Sequence, residues 1–263
     1  MGEPMNNMIR ARKAAMAMAC TALASSYQAQ AGDFVNFQMF DASLYAQAGN
    51  EIDPEKTISP IFEAFGDYSI GDMYVYSIWQ NAMEPNQQGT SSTYYYKFVP
   101  RLSFGKILGK DLSFGPLKDI SFAQWISRTK GYHHEYMPGL GLDWDVPGFS
   151  WLRTMYYFEH NEQQGWNDRR IHIDYGYPFS TRYGDFRVVG TFDHTFGGRG
   201  QAKVTDFKPE LHYDLGKAFG QAPGHLWTGI VLNPIKNKYK IEDSDDFPTN
   251  QVSYGALIRY SFF

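Results

Sequence analysis

The chain has 263 residues, carries 24 Lys and Arg against 28 Asp and Glu, and has a mean hydropathy of −0.45. Its net charge of −4 argues against nucleic-acid binding, which usually depends on a basic excess. Its single cysteine excludes a disulfide framework and a cysteine-based metal site. Aromatic residues make up 17% of the chain, yet no apolar run reaches the roughly 18 to 20 residues of a membrane-spanning helix. This combination predicts a transmembrane β-barrel.

The first 31 residues have the three-part layout of a secretory signal peptide. A basic cluster at residues 10–13 precedes an apolar run at 14–24 and an Ala-x-Ala site that ends at Ala31. We expect cleavage after Ala31, and an N-terminal amphipathic helix is the less favoured alternative. Cys20 lacks the preceding Leu that lipidation usually requires. Met1 and Met8 are alternative start residues.

Residues 32–263 are predicted to form one all-β domain. Apolar and polar residues alternate in runs of 10 to 15 residues separated by turn signals, and about 9 to 11 residues let a tilted strand cross a bilayer. We expect an antiparallel up-and-down barrel, because the runs number twelve and bacterial barrels have even strand numbers. The predicted strands are 34–47, 57–67, 70–83, 92–105, 117–129, 134–146, 149–162, 168–179, 185–196, 203–215, 225–237 and 250–262.

The connections between these strands fall into two kinds, as expected for short periplasmic turns and longer outer loops. Tight connections are predicted at 67–70, 146–148 and 182–184. Long polar connections are predicted at 84–91, 159–167 and 240–249.

The last strand predicts which surface meets lipid. Its apolar face suits hydrocarbon, which solvates neither charges nor bare backbone, and the chain ends in an aromatic residue of the kind that the barrel-assembly machinery reads. Phe263 stands one position past the alternation. We therefore expect contact with outer-membrane lipid and lipopolysaccharide along the face that carries Val252, Tyr254, Ala256, Ile258, Tyr260 and Phe262.

The same alternation predicts the lumen lining. Lys97 and Arg101 would cost about 2 to 4 kcal/mol each at the lipid midplane, so we assign them to the interior. Tyr rings there would stack a flat solute such as a nucleobase, and ionisable groups would bind sugar hydroxyls. The alternative is an interior in which charge networks only satisfy one another. The predicted solute-binding residues are Glu63, Asp72, Tyr74, Tyr76, Tyr95, Lys97, Arg101, Arg153, Tyr157, Glu159, Glu210 and His212.

Signals for enzymatic function are weak. The chain has neither a His-Glu-x-x-His metal motif nor a Gly-x-Ser-x-Gly nucleophile elbow. We expect no catalytic activity, cofactor or metal. The alternative to a channel is a barrel that does not transport, such as a phage or colicin receptor, an adhesin or, less favoured, a lipid-modifying enzyme.

Two long segments carry a family resemblance. Residues 100–116 (PRLSFGKILGKDLSFGP) and 225–244 (HLWTGIVLNPIKNKYKIEDS) resemble the nucleoside-specific outer-membrane channels, the Tsx-like porins. Shorter matches occur at 71–76, 147–149 and 213–218.

The resemblance implies a narrow, monomeric twelve-stranded barrel in a Gram-negative outer membrane. It implies passive uptake of nucleosides and deoxynucleosides, and service as a phage or colicin receptor is a further option. The chain departs from this family at positions where acids are expected, which would weaken the binding of sugar hydroxyls. Those positions are occupied by Ser77 or Ile78, Val189 and Val231.

Overall fold

The computed structural model describes residues 34–83, 92–130, 134–161 and 165–262. Twelve antiparallel strands follow one another around a closed barrel, and β1 pairs with β12 to complete it. The predicted signal peptide lies outside the described residues. The strands are β1 (Val35–Ala48), β2 (Thr57–Tyr68), β3 (Gly71–Ala82), β4 (Ser92–Ser103), β5 (Leu117–Thr129), β6 (His134–Trp144), β7 (Trp151–Asn161), β8 (Gly165–Thr181), β9 (Gly184–Thr195), β10 (Thr205–Asp214), β11 (Leu226–Lys236) and β12 (Gln251–Ser261).

The twelve predicted strands are confirmed, with bounds that shift by a few residues. The exposures also agree with the predicted lipid face of β12: Val252 and Tyr254 are 59% and 57% exposed, whereas Leu257, on the opposite face, is 3% exposed. Side chains alternate between the two faces of a strand, so each strand of a closed barrel presents one face to lipid and one to the lumen. No helix in the described ranges is long and apolar enough to cross a membrane.

Two short helices interrupt the connections after β4 and β10. Helix α1 (Phe104–Leu108) starts at Ser103, whose Oγ accepts a hydrogen bond from the backbone N–H of Lys106 at 3.0 Å. Helix α2 (Leu215–Ala218) starts at Asp214, whose Oδ1 accepts from the N–H of Lys217 at 2.9 Å. These are ordinary N-caps. Neither helix was predicted from the sequence, because the strand alternation on either side of each dominates the pattern.

The prediction of short and long connections was wrong in part. The connections that contain α1 and α2 span residues 104–116 and 215–225, at the same end as the two-residue turns 69–70 and 182–183. The predicted long loop 159–167 is mostly strand, because β7 runs to Asn161 and β8 begins at Gly165. The predicted loop 84–91 lies outside the described residues.

An even number of strands brings the beginning of β1 and the end of β12 to one end of the barrel. We call this the inner end and orient it toward the periplasm, because it carries the two-residue turns. The opposite end, which carries connections 49–56, 196–204 and 237–250, is called the outer end.

Candidate functional site: the barrel lumen

The twelve residues predicted to bind solute all have side chains on the lumen side, but they differ in exposure. Five are buried beneath other side chains: Arg101, Tyr157, Glu159, Glu210 and His212. Seven are partly exposed to the lumen: Glu63, Asp72, Tyr74, Tyr76, Tyr95, Lys97 and Arg153. A solute in the lumen therefore has direct access to the second group, and the first forms the wall behind it.

An arginine ladder lies near the inner end. Arg101 faces its cross-strand neighbour Asp72 and forms a paired contact with it, in which Nε lies 2.8 Å from Oδ1. Its Nη1 donates to Asp143 Oδ1 at 2.9 Å. Arg153 is the next residue of the ladder. Its Nε lies 3.4 Å from Asp143 Oδ1, and its Nη1 lies 3.8 Å from Asp174 Oδ1. Two-point contacts between guanidinium and carboxylate fix the side chain geometrically, so Arg101 is held rigidly while Arg153 is held loosely.

A cavity of about 310 Å³ opens beside this ladder, and we call it the inner vestibule. The Arg153 guanidinium lies 4.8 Å from the ring centre of Phe65, and β7 and β2 are five strands apart around the barrel. That contact spans the lumen, which is narrow here. The vestibule mixes both charges with aromatic faces, and its lining includes Phe65, Asp72, Arg101, Lys106, Asp143, Trp144, Trp151 and Arg153.

Glu210 is the centre of a buried hydrogen-bonded cluster in the middle of the barrel. Its Oε2 accepts from the hydroxyl of Tyr45 at 2.7 Å, and Lys208 Nζ lies 3.2 Å from its Oε1. Arg187 Nε donates to His212 Nδ1 at 3.1 Å, so this nitrogen carries no proton. The proton is on Nε2 of His212, which donates to Glu210 at 2.8 Å. His212 is therefore a neutral bridge between a cation and an anion.

Arg259 links this cluster to the strands on its other side. Its Nη2 donates to Glu63 at 2.7 Å and to the Tyr45 hydroxyl at 3.0 Å, and its Nη1 lies 3.5 Å from Asp41. The Tyr74 hydroxyl donates to the other oxygen of Glu63 at 2.5 Å. Buried charges remain ionised only when they are paired and hydrogen-bonded in this way, so the network stabilises one wall of the lumen.

Lys97 occupies a cage of aromatic rings on the facing wall. Its ammonium lies 4.4 Å from the ring centre of Trp125, 5.2 Å from that of Tyr74 and 5.7 Å from that of Tyr76. Within the described part of the chain it forms no ion pair. From across the lumen, Lys208 approaches Tyr76 at 5.9 Å. Two cations thus cover the aromatic faces on which a flat solute could stack.

Apolar side chains close the space around the cage. One cluster contains Val99, Ala123, Trp125, Met137, Met155 and Tyr157, and another contains Tyr45, Ile61, Ile78, Val231 and Leu257. Tyr95 packs against both, and its ring lies 6.1 Å from that of Tyr76. Ile78 and Val231, two of the departures from the expected acids, belong to the second cluster. At these two positions the lumen wall is apolar.

Connection 237–250 folds into the outer mouth of the barrel, and we call it the outer loop. Lys240 forms ion pairs with Glu159 and, at 2.9 Å, with Asp168. Lys238 Nζ lies 2.6 Å from Asp53. Glu159 and Asp168 belong to β7 and β8, four and three strands around the barrel from β11, where the loop begins. The outer loop therefore extends over part of the mouth and is anchored to strands that do not adjoin its own.

The outer loop has a strained but well-bonded backbone. Asn237, Tyr239 and Lys240 have φ values of 55°, 59° and 60°, a region that residues other than glycine seldom adopt. The Asp243 carboxylate accepts backbone hydrogen bonds from Thr249 at 2.6 Å and Asn250 at 2.8 Å. These bonds hold the pKa of Asp243 below its usual range, and the bond from Asn250 contributes most.

Several central residues were not among the predicted site residues. Lys208 and Arg259 have the alternation of lumen residues, and that signal could have added them. Tyr45 and Trp125 carry no charge, so nothing in the sequence distinguished them from lipid-facing aromatics. Lys240 lies in a loop, and its position depends on contacts with Glu159 and Asp168. These residues precede it in the chain by 81 and 72 positions.

Comparisons with known proteins agree with this architecture. Residues 61–262 match the family model described as nucleoside-specific channel-forming protein, Tsx. An outer membrane protein OmpK from Vibrio parahaemolyticus serotype O3:K6 is 26% identical over 185 residues, which are 64% of this chain and 65% of that protein. A second OmpK from Vibrio parahaemolyticus is 28% identical over 211 residues, which are 75% of this chain and 76% of that protein. The chain thus spans just under two thirds of the length of the first relative.

Among solved structures, the KdgM porin in complex with disordered oligogalacturonate aligns with a TM-score of 0.49 at 12% identity. The alignment covers 86% of this chain and 99% of that chain.

The family match begins in β2 and ends after β12, so it includes all of β3 to β12. Both relatives are outer-membrane proteins, and the strand pairing closes a porin-type barrel. The protein is therefore an integral outer-membrane β-barrel, and its family is one of channels and not of enzymes. The chain belongs to the family of nucleoside-specific channel-forming proteins, Tsx.

Proposed function

We propose that this channel takes up nucleosides and deoxynucleosides by passive diffusion across the outer membrane. The observation that carries the proposal is the aromatic cage at the middle of the lumen, where the rings of Tyr74, Tyr76 and Trp125 face one ammonium group. A base would stack on the partly exposed rings of Tyr74 and Tyr76 after Lys97 moves aside, with the buried Trp125 behind them. Tyr95, partly exposed beside Tyr76, would extend the stacking surface.

The magnitudes support weak, reversible binding at the cage. Stacking a base on an aromatic side chain contributes about 1 to 3 kcal/mol. Removing Lys97 from the rings costs about 0.5 to 2 kcal/mol, the range for cation–π contacts. Because the two terms nearly cancel, a nucleoside would bind briefly and leave, which conduction requires.

The ribose would bind to the partly exposed ionisable groups. Glu63 already accepts from Tyr74 and Arg259, and both carboxylate oxygens have further lone pairs for sugar hydroxyls. Toward the inner end, Asp72 and Arg153 line the inner vestibule and would form the next site. We assign the buried residues Arg101, Tyr157, Glu159, Glu210 and His212 to the support of the wall, not to solute contact.

We also propose that the chain acts as a monomer without a cofactor or catalytic step. The closed strand order leaves no unpaired strand edge to be satisfied by a second copy. Residues 1–31 would serve as a signal peptide that brings the chain to the periplasm, where the barrel-assembly machinery would receive it.

Single-channel recording of the purified protein in a planar bilayer, titrated with adenosine and with a disaccharide as control, tests the uptake proposal. We expect a small conductance that adenosine blocks and the disaccharide does not. The double variant Tyr74→Ala and Tyr76→Ala should weaken the block by about tenfold or more, given the stacking energies.

The matched control is Tyr254→Ala, which removes a lipid-facing ring that is 57% exposed and should leave the block unchanged. A conductance that ignores adenosine would remove the nucleoside assignment and keep the channel. Absence of conductance from a folded barrel would favour the receptor or adhesin alternative.

A further inference from the structure

The outward-facing arginine and histidine side chains of the barrel are distributed unevenly. In the described strands, alternation and contacts place every Asp and Glu on the lumen side or at the mouths. At the outer end, outward-facing basic side chains occur on consecutive strands β5 to β9, and we call this set the basic rim. It consists of Arg128, His134, His160, Arg169 and His194.

Register and contacts establish the outward direction of these side chains. Arg128 pairs across the ladder with His134, next to the pair of Ser127 and Glu135, whose hydrogen bond lies inside the barrel. On its other side Arg128 pairs with Tyr96, which is 38% exposed. Arg128 is therefore flanked by aromatic groups and, among the residues that the structure describes, has no carboxylate neighbour on this surface.

The two arginines of the rim have donor groups to spare. Arg128 Nη1 contacts His134 Nε2 at 3.3 Å, while its Nε is buried without a hydrogen-bond partner. Arg169 lies with its guanidinium 5.3 Å from the ring centre of Phe196. A guanidinium in a membrane must find an acceptor, because hydrocarbon offers none. Phosphate oxygens match its planar donor fork.

Aromatic rings place the basic rim at the boundary between hydrocarbon and headgroups. His134 stacks on Tyr136 at 6.1 Å, and His160 lies 5.0 Å from Trp166, which is 59% exposed. Girdles of aromatic residues mark the two interfaces of a transmembrane barrel. The basic rim is therefore level with the headgroups of the outer leaflet.

The other half of the outer surface is different at the same height. It presents Ile58, Trp79, Leu232, Val252 and Tyr254, which are between 39% and 59% exposed. The exposed basic side chains there are two lysines, Lys56 and Lys236, in the described part of β10 to β4 and its connections. Arginine and histidine side chains are thus concentrated on one side, over five strands that span about 19 Å at the usual strand spacing.

We propose that the basic rim binds a phosphorylated glycolipid of the outer leaflet, of the lipopolysaccharide type. Arg128 and Arg169 pair with phosphate oxygens of its headgroup, and His134 and His160 donate further hydrogen bonds. The acyl chains lie on the apolar and aromatic surface below the rim. This site is outside the barrel and independent of the solute path.

Native mass spectrometry of the purified protein in detergent, titrated with bis-phosphorylated lipid A, tests the proposal. We expect one tightly retained lipid per protein and at least tenfold weaker retention of the same lipid after removal of its phosphates. The variant Arg128→Gln with Arg169→Gln should weaken retention of the phosphorylated form at least tenfold. The altered migration of a folded barrel on unheated gels shows that the variant has folded.

Lys236→Gln is the matched control, because it removes one outward cation at the same end on the other half. It should retain the lipid as the unaltered protein does. Equal retention of the phosphorylated and dephosphorylated lipids would overturn the proposal. So would a folded double variant that binds as tightly as the control.

Discussion

The two mouths of the barrel are built differently. At the inner end, the main ion pair joins Arg101 to Asp72, its neighbour on the adjacent strand, and a cavity of about 310 Å³ remains open beside it. At the outer end, Lys240 reaches from a loop across the mouth to Glu159 and Asp168. The inner mouth is thus narrowed by its own wall, and the outer mouth is narrowed by a separate segment that extends over part of it.

This difference shows which part of the channel can move without loss of the barrel. Removing an inner ion pair disturbs strands that hold each other by ladder hydrogen bonds. Removing an outer ion pair releases a loop whose ends are fixed but whose middle is held by a few side chains. We therefore expect conductance to depend chiefly on the outer loop, and barrel stability on the inner ladder.

The largest effect on conductance is expected from Lys240→Met. The change leaves Asp168 without its ion-pair partner, while Glu159 keeps Arg170 at 3.3 Å, and loss of one partner of a buried ion pair costs about 3 to 5 kcal/mol. The loop should leave the mouth, because its strained backbone gains by relaxing. We expect a several-fold rise in single-channel conductance. Lys203→Met, an exposed position at the same end, is the control and should conduct like the unaltered protein.

Arg101→Gln should have the largest effect on stability. Asp72 would then lose its cation and Asp143 would keep only the longer contact with Arg153, and the expected destabilisation is again about 3 to 5 kcal/mol. Arg153→Gln is the matched control, since Arg153 makes longer contacts and its side chain is 22% exposed, so it should lose less. Denaturant unfolding in detergent measures both. If the two variants unfolded alike, the inner ladder would not be the rigid element inferred here.

The contrast between the mouths also explains what the sequence could predict. The alternation of β4 placed Arg101 and Lys97 in the lumen. The face toward which a side chain points is set locally along a strand, and a shift of one residue would turn these charges toward lipid. Exposure was not predictable: Tyr157 and Tyr95 share the inward direction, yet only Tyr157 is fully buried. That difference depends on which strands face each other across the lumen.

The contacts of Lys240 were beyond sequence reasoning for the same physical reason. Alternation carries no information about where a loop folds, and the partners of Lys240 lie on β7 and β8. Helix α1 was hidden in another way, because its cap at Ser103 is also the last residue of β4.

Lys97→Met changes the aromatic cage between the two mouths and leaves both mouths intact. The variant removes the ammonium from the rings of Tyr74, Tyr76 and Trp125 and keeps a side chain of similar length. Since a cation–π contact contributes about 0.5 to 2 kcal/mol, adenosine should block about twofold to thirtyfold more tightly. The titration of conductance measures this. Weaker block would mean that Lys97 itself binds the solute.

The smallest effect is expected from acid, acting on the outer mouth alone. The Asp243 carboxylate accepts the backbone N–H groups of Thr249 and Asn250, and these bonds lower its pKa in the folded loop. A depressed pKa means that the group stabilises the loop fully above its unfolded pKa of about 3.9. That contribution declines as the pH falls toward the folded value.

Conductance should therefore be constant from neutral pH down to about pH 4 and rise slightly below it as the loop loosens. Asp243→Asn should show the acid level of conductance at neutral pH, because an amide oxygen accepts the same hydrogen bonds without the charge that strengthens them. Asp111→Asn at the inner end is the matched control, since Asp111 also has a pKa lowered by a backbone N–H, that of Ser113. If Asp111→Asn changed conductance as much as Asp243→Asn, the outer loop would not be the only segment that limits passage, and both mouths would do so.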